Sequence, residues 1–499
     1  MLPLLVAEQI RQADAYTIAN EPISSLYLME RASKAFVGWF INHFQDKRKS
    51  ISVYCGTGNN GGDGLAIARL LNDHGYNLIN VKITRFSAKA SEDFEANLQR
   101  LGGIKRLEIG SGASLPPENS DIIIDAMLGS GLNKPLEGDY RRVVNYLNGL
   151  QKTVVAVDVP TGFFTDGEIP DEAVALRTDL TITFEQPKIN FLLPESAPYI
   201  NCLEVVKIGL DELFINSLAT PYYFIEESDA KVIIAERHRF SNKGTYGHGL
   251  IIAGADETMG AALLSSSACA HAGAGLTTAC IPQSGLTALN SYLPELMAIV
   301  RKDDNLPEID LDKYSAIGIG PGLGKDSASV NLLKHVISNS KKPILIDADG
   351  LNLLSEHQEL LKQLPPGSIL TPHMKEFDRL FGEHTSWWHR LQTAKVKAAE
   401  LKINIVLKND YTITVSPEGR LYFNSTGNAA MATGGMGDVL TGIITSLLAQ
   451  KYAPTQACIL GVYLHGKAGD ELALPNRMNV VLPGRVITQL PATMAKILA

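Results

Sequence analysis

The sequence has no long uninterrupted apolar run, no excess of basic residues and no pair of closely spaced cysteines. The first absence excludes a membrane-spanning helix, and the formal net charge of −8 argues against a broad nucleic-acid surface. The scattered cysteines lack a CxxC motif, which argues against disulfides or a zinc site and favours a reducing, cytoplasmic compartment. No basic leader opens the chain, so no signal peptide is expected. The cysteines are Cys55, Cys202, Cys269, Cys280 and Cys458.

The 499 residues contain two series of short Val/Ile-rich strands that alternate with helical patterns. Nearly continuous apolar strands are typical of parallel sheets that helices cover on both faces. The alternation stops after about residue 210, where DELFINSLATPYYFIEESDA is interpreted as a connector. The sequence therefore predicts two α/β domains, residues 1–216 and 217–499, and helices within residues 1–50.

Eleven strands and one helix of small residues are predicted by number. In the first domain the strands are 51–56, 80–84, 121–126, 153–159, 179–184 and 203–208. In the second domain they are 249–254, 316–320, 343–348, 368–372 and 403–408, with the small-residue helix at 260–274.

A glycine-rich segment, GTGNNGGDG, follows the first predicted strand at residues 56–64. It matches GxGxxG, which indicates a dinucleotide-binding loop. However, the next strand supplies no acidic residue to bind a ribose, and Asp63 inside the segment would repel a phosphate. Asn59, Asn60 and Asp63 could instead coordinate a ligand or a hard cation. The structural alternative is a tight turn whose Asn and Asp side chains cap the next helix.

Two more segments, DAMLGSGLNKPLEGDY (125–140) and VDVPTG (157–162), also follow buried strands. Because the carboxyl ends of parallel strands meet at one edge of a sheet, we expect the polar side chains there to converge. An oxygen-rich pocket without cysteine or histidine selects a hard cation over zinc. The converging residues are Asn60, Asp63, Asp125, Asp158 and Thr161.

The segment NAAMATGGMGDVLTGIITSLLAQ (428–450) carries the strongest signal in the second half of the chain. Gly434, Gly435 and Gly437 precede apolar positions with helical spacing, so the backbone N–H groups of a helix start are predicted to form an anion hole. Asp438 at its mouth is suited to act as a general base, and the structural alternative is a helix N-cap. No GxxxxGK[ST] motif is present, which excludes a P-loop enzyme.

Three other segments of the second domain lie at predicted strand ends: GIGPGLG (318–324), TPHMKEFDRL (371–380) and VLKNDYT (406–412). The first is a second glycine-rich turn. The other two supply the polar residues His373, Glu376, Lys408 and Thr412.

NNGGDGLAIARLL, DAMLGSGL and VDVPTG resemble the signature loops of NAD(P)H-hydrate epimerases over residues 1–215. The resemblance implies a Rossmann-like parallel-sheet domain in which Asn60, Asp125 and Thr161 hold K+. It makes Asp158 the candidate acid/base. Thr161 stands where serine is commoner and keeps the hydroxyl oxygen. The implied substrate contacts are Asn59, Asn60, Gly61, Gly62, Asp63, Gly129, Ser130, Gly131, Leu132, Asn133, Lys134, Pro135, Tyr140 and Asp158.

GPGLG, DADGLN, TPH and N-x-x-MATGGxGDVLTG resemble the ADP/ATP-dependent NAD(P)H-hydrate dehydratases, which share the ribokinase-like fold, over about residues 225–499. The departures are Lys375 and Asn409, which both stand where glycine is usual. The implied hydrate contacts are Ala261, Gly322, His373 and Asp438. The implied adenine-nucleotide contacts are Lys408, Asn409, Asp410, Tyr411, Thr412 and Gly437.

The two resemblances together imply a bifunctional repair enzyme for hydrated NADH and NADPH, both an isomerase and a lyase. The first domain would interconvert the R and S epimers through Asp158. The second would dehydrate the S epimer through Asp438 and ADP with Mg2+, giving AMP and phosphate. The expected partners are small molecules and further copies of the chain, without nucleic acid or membrane.

Three alternatives remain at this point. A sugar or vitamin kinase with an accessory nucleotide-binding domain fits the second half but does not explain NNGGDG. An NAD-dependent dehydrogenase fits GTGNNG but lacks the acidic partner of that motif. A non-catalytic nucleotide sensor or scaffold would not need Asp158 or Asp438.

Overall fold

The chain divides near residue 220 in the computed structural model, which describes residues 1–302 and 307–499. One unit comprises Pro3–Thr220 and Ser386–Trp388, and the other comprises Met1–Leu2, Pro221–Thr385 and His389–Ala499. The main division, at 220/221, lies close to the expected 216/217 boundary. Within the described ranges, no helix is long and apolar enough to cross a membrane.

The first unit alternates helices and strands along the chain, after the two expected N-terminal helices. Up to Thr220 the helices are α1 (Ala7–Asn20), α2 (Ser25–His43), α3 (Asn59–Asp73), α4 (Glu92–Arg100), α5 (Gly138–Asn148) and α6 (Glu212–Ser217). The strands are β1 (Leu2–Pro3), β2 (Ile51–Cys55), β3 (Ile79–Arg85), β4 (Lys105–Gly110), β5 (Ile122–Ala126), β6 (Thr153–Val157), β7 (Thr178–Phe184) and β8 (Ile200–Val206).

The first sheet has the order β4-β3-β2-β5-β6-β7-β8, and its neighbouring strands run parallel. All residues of β2 and β5 are buried because helices pack on both sets of their alternating side chains. Helices α2 and α3 belong to one apolar core, and α5 belongs to the other. The strand order reverses between β2 and β5, where Cys55 pairs with Ala126. Open α/β sheets bind ligands outside the strand ends at such a reversal. The glycine-rich segment and the Asp125 segment flank this point.

The second unit continues the alternation from residue 221. Its helices are α7 (Glu227–Ile233), α8 (Met259–His271), α9 (Leu286–Tyr292), α10 (Ser327–Asn339), α11 (Asp349–Glu356), α12 (Met374–Phe381), α13 (Trp387–Leu401), α14 (Met436–Ala449), α15 (Pro454–Ala473) and α16 (Pro483–Leu498). Its strands are β9 (Tyr222–Ile225), β10 (His248–Ile252), β11 (Leu276–Pro282), β12 (Met297–Arg301), β13 (Ala316–Ile319), β14 (Ile344–Ile346), β15 (Ile369–Leu370), β16 (Asn404–Leu407), β17 (Ile413–Val415) and β18 (Leu421–Asn424).

The second sheet runs β1-β9-β18-β17-β16-β15-β14-β13-β10-β11-β12. It is parallel from β16 to β12, and β17 is antiparallel to both of its neighbours. The order reverses between β13 and β10, so the GIGPGLG turn after β13 lies at the switch point. Helix α8 is rich in small residues because α14 crosses it closely: a Cβ on Gly442 would lie 2.1 Å from the Ser265 carbonyl oxygen.

The segment that the sequence predicted to be a connector is mostly regular secondary structure, which corrects that prediction. It holds α6, β9 and α7, and β9 pairs with β18 as a strand of the second sheet. Strands β4, β11, β12, β17 and β18 were also not predicted. β4 is mostly exposed and carries charged residues, so it lacks the continuous apolar pattern of a buried strand.

Candidate active sites

The glycine-rich segment at the first switch point is mainly helical. Helix α3 begins at Asn59 with Gly58 as its N-cap, so no Asn or Asp side chain caps it. A Cβ on Gly56 would lie 2.0 Å from the Met127 carbonyl oxygen, and one on Gly61 would lie 1.9 Å from the Gly56 oxygen. These glycines are therefore required for close backbone packing at the ends of β2 and β5.

Asp125 is the penultimate residue of β5, and its carboxyl group is buried. Its Oδ1 accepts a hydrogen bond from Thr161 Oγ1 at 2.7 Å, and its Oδ2 accepts one from the Thr161 N–H at 2.7 Å. Burial raises the pKa of Asp125 to about 6. Two of the three predicted K+ ligands are thus in direct contact.

Asn60, the third predicted K+ ligand, lies in the first turn of α3 and is 9% exposed. Its side chain packs on Gly129, where an added Cβ would lie 3.3 Å from Asn60 Cβ. The preceding Leu128 N–H donates to Thr161 Oγ1 at 3.1 Å. Among the described residues, Asn60 Nδ2 has no hydrogen-bond partner. A buried amide left unpaired is costly and points to a bound group in its vicinity.

Asp158 follows β6 in a left-handed backbone conformation, with φ of +63°. Its Oδ1 accepts hydrogen bonds from Thr183 Oγ1 at 3.0 Å and from the Phe184 N–H at 3.0 Å. Lys188 Nζ lies 2.8 Å from the same oxygen, and the Lys188 side chain is 1% exposed. Three donors therefore converge on one oxygen of Asp158, whose backbone conformation is one that non-glycine residues adopt only where the surroundings enforce it.

A cavity of about 550 Å³ opens beside Asp158. Burial and the negative charges of Asp158 and Asp14 raise the pKa of Asp63 well above its ordinary value. Unexpected wall residues include Arg11, Asp14, Phe184 and Ile208. The predicted contacts that line it are Asn59, Asn60, Asp63, Gly129, Ser130, Gly131 and Asp158.

In the second unit, α14 begins one residue after Gly435, which is the N-cap with φ of +95°. Asp438 lies in the first turn of α14, so the interpretation of this residue as an N-cap is wrong. Burial and the charge of nearby Asp347 raise the pKa of Asp438 to about 7, against the opposing effect of Lys408. The first N–H groups of a helix have no intrahelical partner and attract an anion. A carboxyl with this pKa beside such groups is suited to general-base chemistry at neutral pH.

Asp347, at the end of β14, organises the groups around α14. It is 1% exposed. It accepts hydrogen bonds from Lys408 Nζ at 2.7 Å and from Thr441 Oγ1 at 2.8 Å. A Cβ on Gly437 would lie 3.5 Å from Lys408 Nζ. Two predicted nucleotide contacts, Lys408 and Gly437, are therefore neighbours.

Residues 408–412 form the turn between β16 and the antiparallel β17. Thr412 Oγ1 donates to the Asn409 carbonyl oxygen at 2.9 Å. Asn409 does not have a positive φ, so the conformational freedom of glycine is not needed there. Both polar atoms of its side-chain amide are buried without a hydrogen-bond partner in residues 1–302 and 307–499. This turn therefore presents unpaired polar groups to a ligand.

Two of the predicted hydrate contacts, Gly322 and Ala261, lie at the second switch point, and His373 follows β15. Gly322 has a φ of +56°, and a Cβ there would lie 3.0 Å from Ala261 Cβ. His373 is the N-cap of α12: its Nδ1 accepts from the Lys375 N–H at 3.1 Å and from the Glu376 N–H at 3.3 Å. Lys375 is exposed in the first turn of α12 and so does not disturb the loop before it.

Comparison with known proteins gives these two sites a family. A family model described as NAD(P)H-hydrate dehydratase matches residues 249–492, and one described as YjeF-related protein N-terminus matches residues 25–190. The bifunctional NAD(P)H-hydrate repair enzyme of Moorella thermoacetica is 32% identical over 510 residues, which cover 98% of this chain and 96% of that protein. The chain belongs to the bifunctional NAD(P)H-hydrate repair enzyme family.

Two further comparisons agree with this assignment. The repair enzyme of the same name from Escherichia coli is 32% identical over 476 residues, covering 94% of this chain and 89% of that protein. A crystal structure of a ribokinase-like superfamily protein from Enterococcus faecalis is 30% identical, with a TM-score of 0.50. It covers 56% of this chain and 98% of that chain. The predicted ribokinase-like fold of the second domain is confirmed.

Several residues implied by membership of the repair-enzyme family lie away from the cavity lining. Gly61 and Gly62 are buried, and a Cβ on Gly62 would meet the Met29 side chain. Leu132 and Tyr140 pack into an apolar cluster, where the Tyr140 ring lies edge-on to Phe86. The remaining ones, exposed or half-buried, are Asn133, Lys134 and Pro135. Substrate contact by these seven stays a prediction.

Three charged residues of the repair-enzyme sites were missed from the sequence. Asp347 directly follows a buried strand, so the strand-end rule could have found it. Lys188 lies outside a regular strand or α-helix, and its ion pair with Asp158 depends on the tertiary fold. Asp14 lies on α1, upstream of the sheet, and no local pattern places it beside the strand ends.

Proposed function

We propose that the chain repairs hydrated NADH and NADPH, with epimerisation in the first domain and ADP-dependent dehydration in the second. One observation carries this division of labour. Each unit has its own switch point with its own reactive carboxyl group, Asp158 in one and Asp438 in the other. Family membership over the whole chain supplies the substrate class.

In the first domain, Asp158 is the proposed acid/base residue at C6 of the hydrated nicotinamide ring. The ammonium of Lys188 and the N–H of Phe184 stabilise its ionised form, in which it can accept a proton. The cavity beside it is bounded by the start of α3 and the 129–131 segment. Its volume of about 550 Å³ is within the range of small-molecule sites.

A potassium ion fits the residues at the end of β5. Asp125, Thr161 and Asn60 offer carboxylate, hydroxyl and amide oxygens, which suit a hard cation. The buried carboxyl group of Asp125 supports a cation there. Such an ion would offset the buried negative charge and fix the ends of the two substrate segments.

In the second domain, Asp438 would take the proton from the C6 hydroxyl as that oxygen attacks the terminal phosphoryl group of ADP. The N–H groups at the start of α14 would stabilise the transferring phosphoryl group. AMP leaves, and the C6 hydroxyl becomes a phosphate ester. This matters because hydroxide itself is a poor leaving group. The ring nitrogen lone pair then expels phosphate, and loss of a C5 proton gives NAD(P)H.

The adenine nucleotide would bind at residues 408–412 and Gly437. The unpaired amide of Asn409 can bond to the nucleotide, and Lys408 can reach its phosphates. Magnesium would enter with the nucleotide. Asp349, whose charge reaches Asp438, carries carboxylate oxygens of the kind that Mg2+ prefers, which leaves Asp438 free to act as the base.

All five cysteines are free thiols, four of them buried, and no disulfide joins them. This supports the proposed reducing, cytoplasmic location, since oxidising compartments favour disulfide formation.

Two variants and chromatographically separated epimers test the division of labour. Asp158→Ala should convert the S epimer to NADH normally with ADP and should consume the R epimer only at the spontaneous rate. Asp438→Asn should interconvert R and S without forming NADH. The exposed Asp46→Ala serves as a matched control. Consumption of R by Asp158→Ala at the wild-type rate would show that the first domain is not the epimerase.

The same assay addresses the kinase alternative. A small-molecule kinase would consume the nucleotide with a sugar or vitamin and would form no NADH from either epimer. Failure of the wild-type protein to produce NADH from the S epimer with ADP or ATP would therefore refute the proposed repair function.

A further inference from the structure

A further carboxylic acid besides Asp158 and Asp63, Asp14, faces the proposed epimerase cavity from α1. It lines the cavity of about 550 Å³ together with Asp158. Both residues also line an adjoining smaller cavity of about 80 Å³, whose wall includes Lys188. Asn60, whose buried Nδ2 is unpaired among the described residues, lines the larger cavity and independently indicates a ligand there.

We propose that Asp14 is a second acid/base residue for epimerisation and acts on the C6 hydroxyl in partnership with Asp158. This inference rests on the proposed epimerase function of the first domain. Asp14 projects from a helix and Asp158 from a strand end, so the two carboxyl groups approach the cavity from different walls. Inversion at C6 needs proton transfer on both faces of the ring, and two separately mounted carboxyl groups meet that need.

The surroundings of the two carboxyl groups differ as an acid/base pair requires. Burial, followed by the negative charge of Asp158, raises the pKa of Asp14 to about 6. Lys188 opposes this rise and Glu185 adds to it. The other charged groups on the cavity wall are Arg11 and Asp63. Asp158, in contrast, receives three donors on one oxygen, one of them the ammonium of Lys188. Environments that separate two carboxyl groups in this way assign one as the acid and the other as the base.

The proposed step conserves atoms and charge. Protonated Asp14 gives its proton to the C6 hydroxyl, the C6–O bond breaks, and the N1 lone pair forms an N1=C6 double bond as water leaves. Water then adds to the other face of C6 and gives a proton to the Asp158 carboxylate. The result is inversion at C6 and transfer of one proton from Asp14 to Asp158, which exchange with solvent reverses. The cavity of about 80 Å³ exceeds the roughly 10–15 Å³ that one water molecule needs.

The test uses the full-length protein with purified R epimer. Asp14→Asn should lower the kcat for epimerisation by about 10² or more and change KM by less than about threefold. Dehydration of the S epimer with ADP should be unchanged. Because the acid form of Asp14 is required, wild-type kcat should fall about tenfold per pH unit above about pH 6. Asp14→Asn should lack this alkaline limb, the decline of kcat at high pH. Asp14→Glu should restore part of it.

Each remaining outcome separates the inference from the function on which it rests. If wild type does not accelerate R–S interconversion, the epimerase proposal itself fails. If wild type is active and Asp14→Asn matches it in rate and pH profile, only the assignment of Asp14 fails. A purely structural residue would lower the rate without removing the alkaline limb. Product formed in heavy-oxygen water should carry one solvent oxygen per inversion, and its absence would overturn the C6–O cleavage step. Asp46→Asn is the matched control.

Discussion

Replacement of Asp438 by asparagine should have opposite effects on dehydration and on stability. The pKa of this carboxyl rises from 3.8 to about 7 because of burial and of the charge of Asp347. That difference corresponds to on the order of 4 kcal/mol against the ionised form in the folded protein. The folded state then binds the proton more tightly than the unfolded state, so stability falls as pH rises from about 4 to about 7.

The expected magnitudes follow from that pKa. At about pH 6 roughly one-tenth of Asp438 is ionised, and at about pH 8 roughly nine-tenths is, so wild-type kcat for dehydration should rise nearly tenfold between them. Asp438→Asn should lose about 10² or more in kcat and the pH dependence with it. At about pH 8 the variant should also be more stable, by up to about 4 kcal/mol.

The assay follows NADH absorbance from the S epimer at saturating ADP, together with thermal unfolding across the same pH range. Nucleotide binding by Asp438→Asn should be preserved, and Asp312→Asn, an exposed substitution in the same domain, is the control. Near-normal turnover in the Asn variant would remove Asp438 as the base. A loss of both activity and stability would mean that the side chain supports the fold instead.

Two other predictions concern the first domain. Asp125→Ala should remove the proposed K+ ion and raise the KM for the hydrate on the order of tenfold while S-epimer dehydration is unchanged; no anomalous signal beside Asp125 in crystals of wild type grown with potassium would refute the site. Gly61→Ala should destabilise the domain by at least about 1–3 kcal/mol, because its Cβ would lie 1.9 Å from the Gly56 oxygen. Gly58→Ala, with open space around the new Cβ, is its matched control in thermal unfolding, and equal unfolding temperatures would contradict the packing argument.

The sequence patterns located the strand ends that carry the chemistry. β2, β5 and β6 are short apolar runs, and parallel strands bring the residues that end or follow them to one edge. This is why Asp158 could be anticipated beside the glycine-rich segment. The structure of the glycine-rich segment was harder to predict, because glycine is compatible both with a loop and with the first turns of a helix. The glycines are explained by close backbone contacts that only the tertiary structure shows.

The remaining features depend on contacts that no local pattern encodes. β9 was assigned to a connector because its four residues become a strand only by pairing with β18, about 200 positions later. The ion pair of Lys188 with Asp158 likewise depends on the pairing of β7 with β6, since Lys188 follows β7 and Asp158 follows β6. Charged residues near a site can be listed from sequence, but their pairing follows from tertiary structure.

The ion pair between Lys408 and Asp347 has a consequence for how a nucleotide enters the second site. Lys408 Nζ lies 2.7 Å from Asp347 Oδ1 and 3.9 Å from Glu376 Oε2. Asp438 and Asp349 are two further acidic residues nearby. A polyphosphate thus approaches a surface whose sign matches its own. Each further phosphate increases the repulsion unless a divalent ion accompanies it. We therefore expect the nucleotide to bind together with a divalent ion.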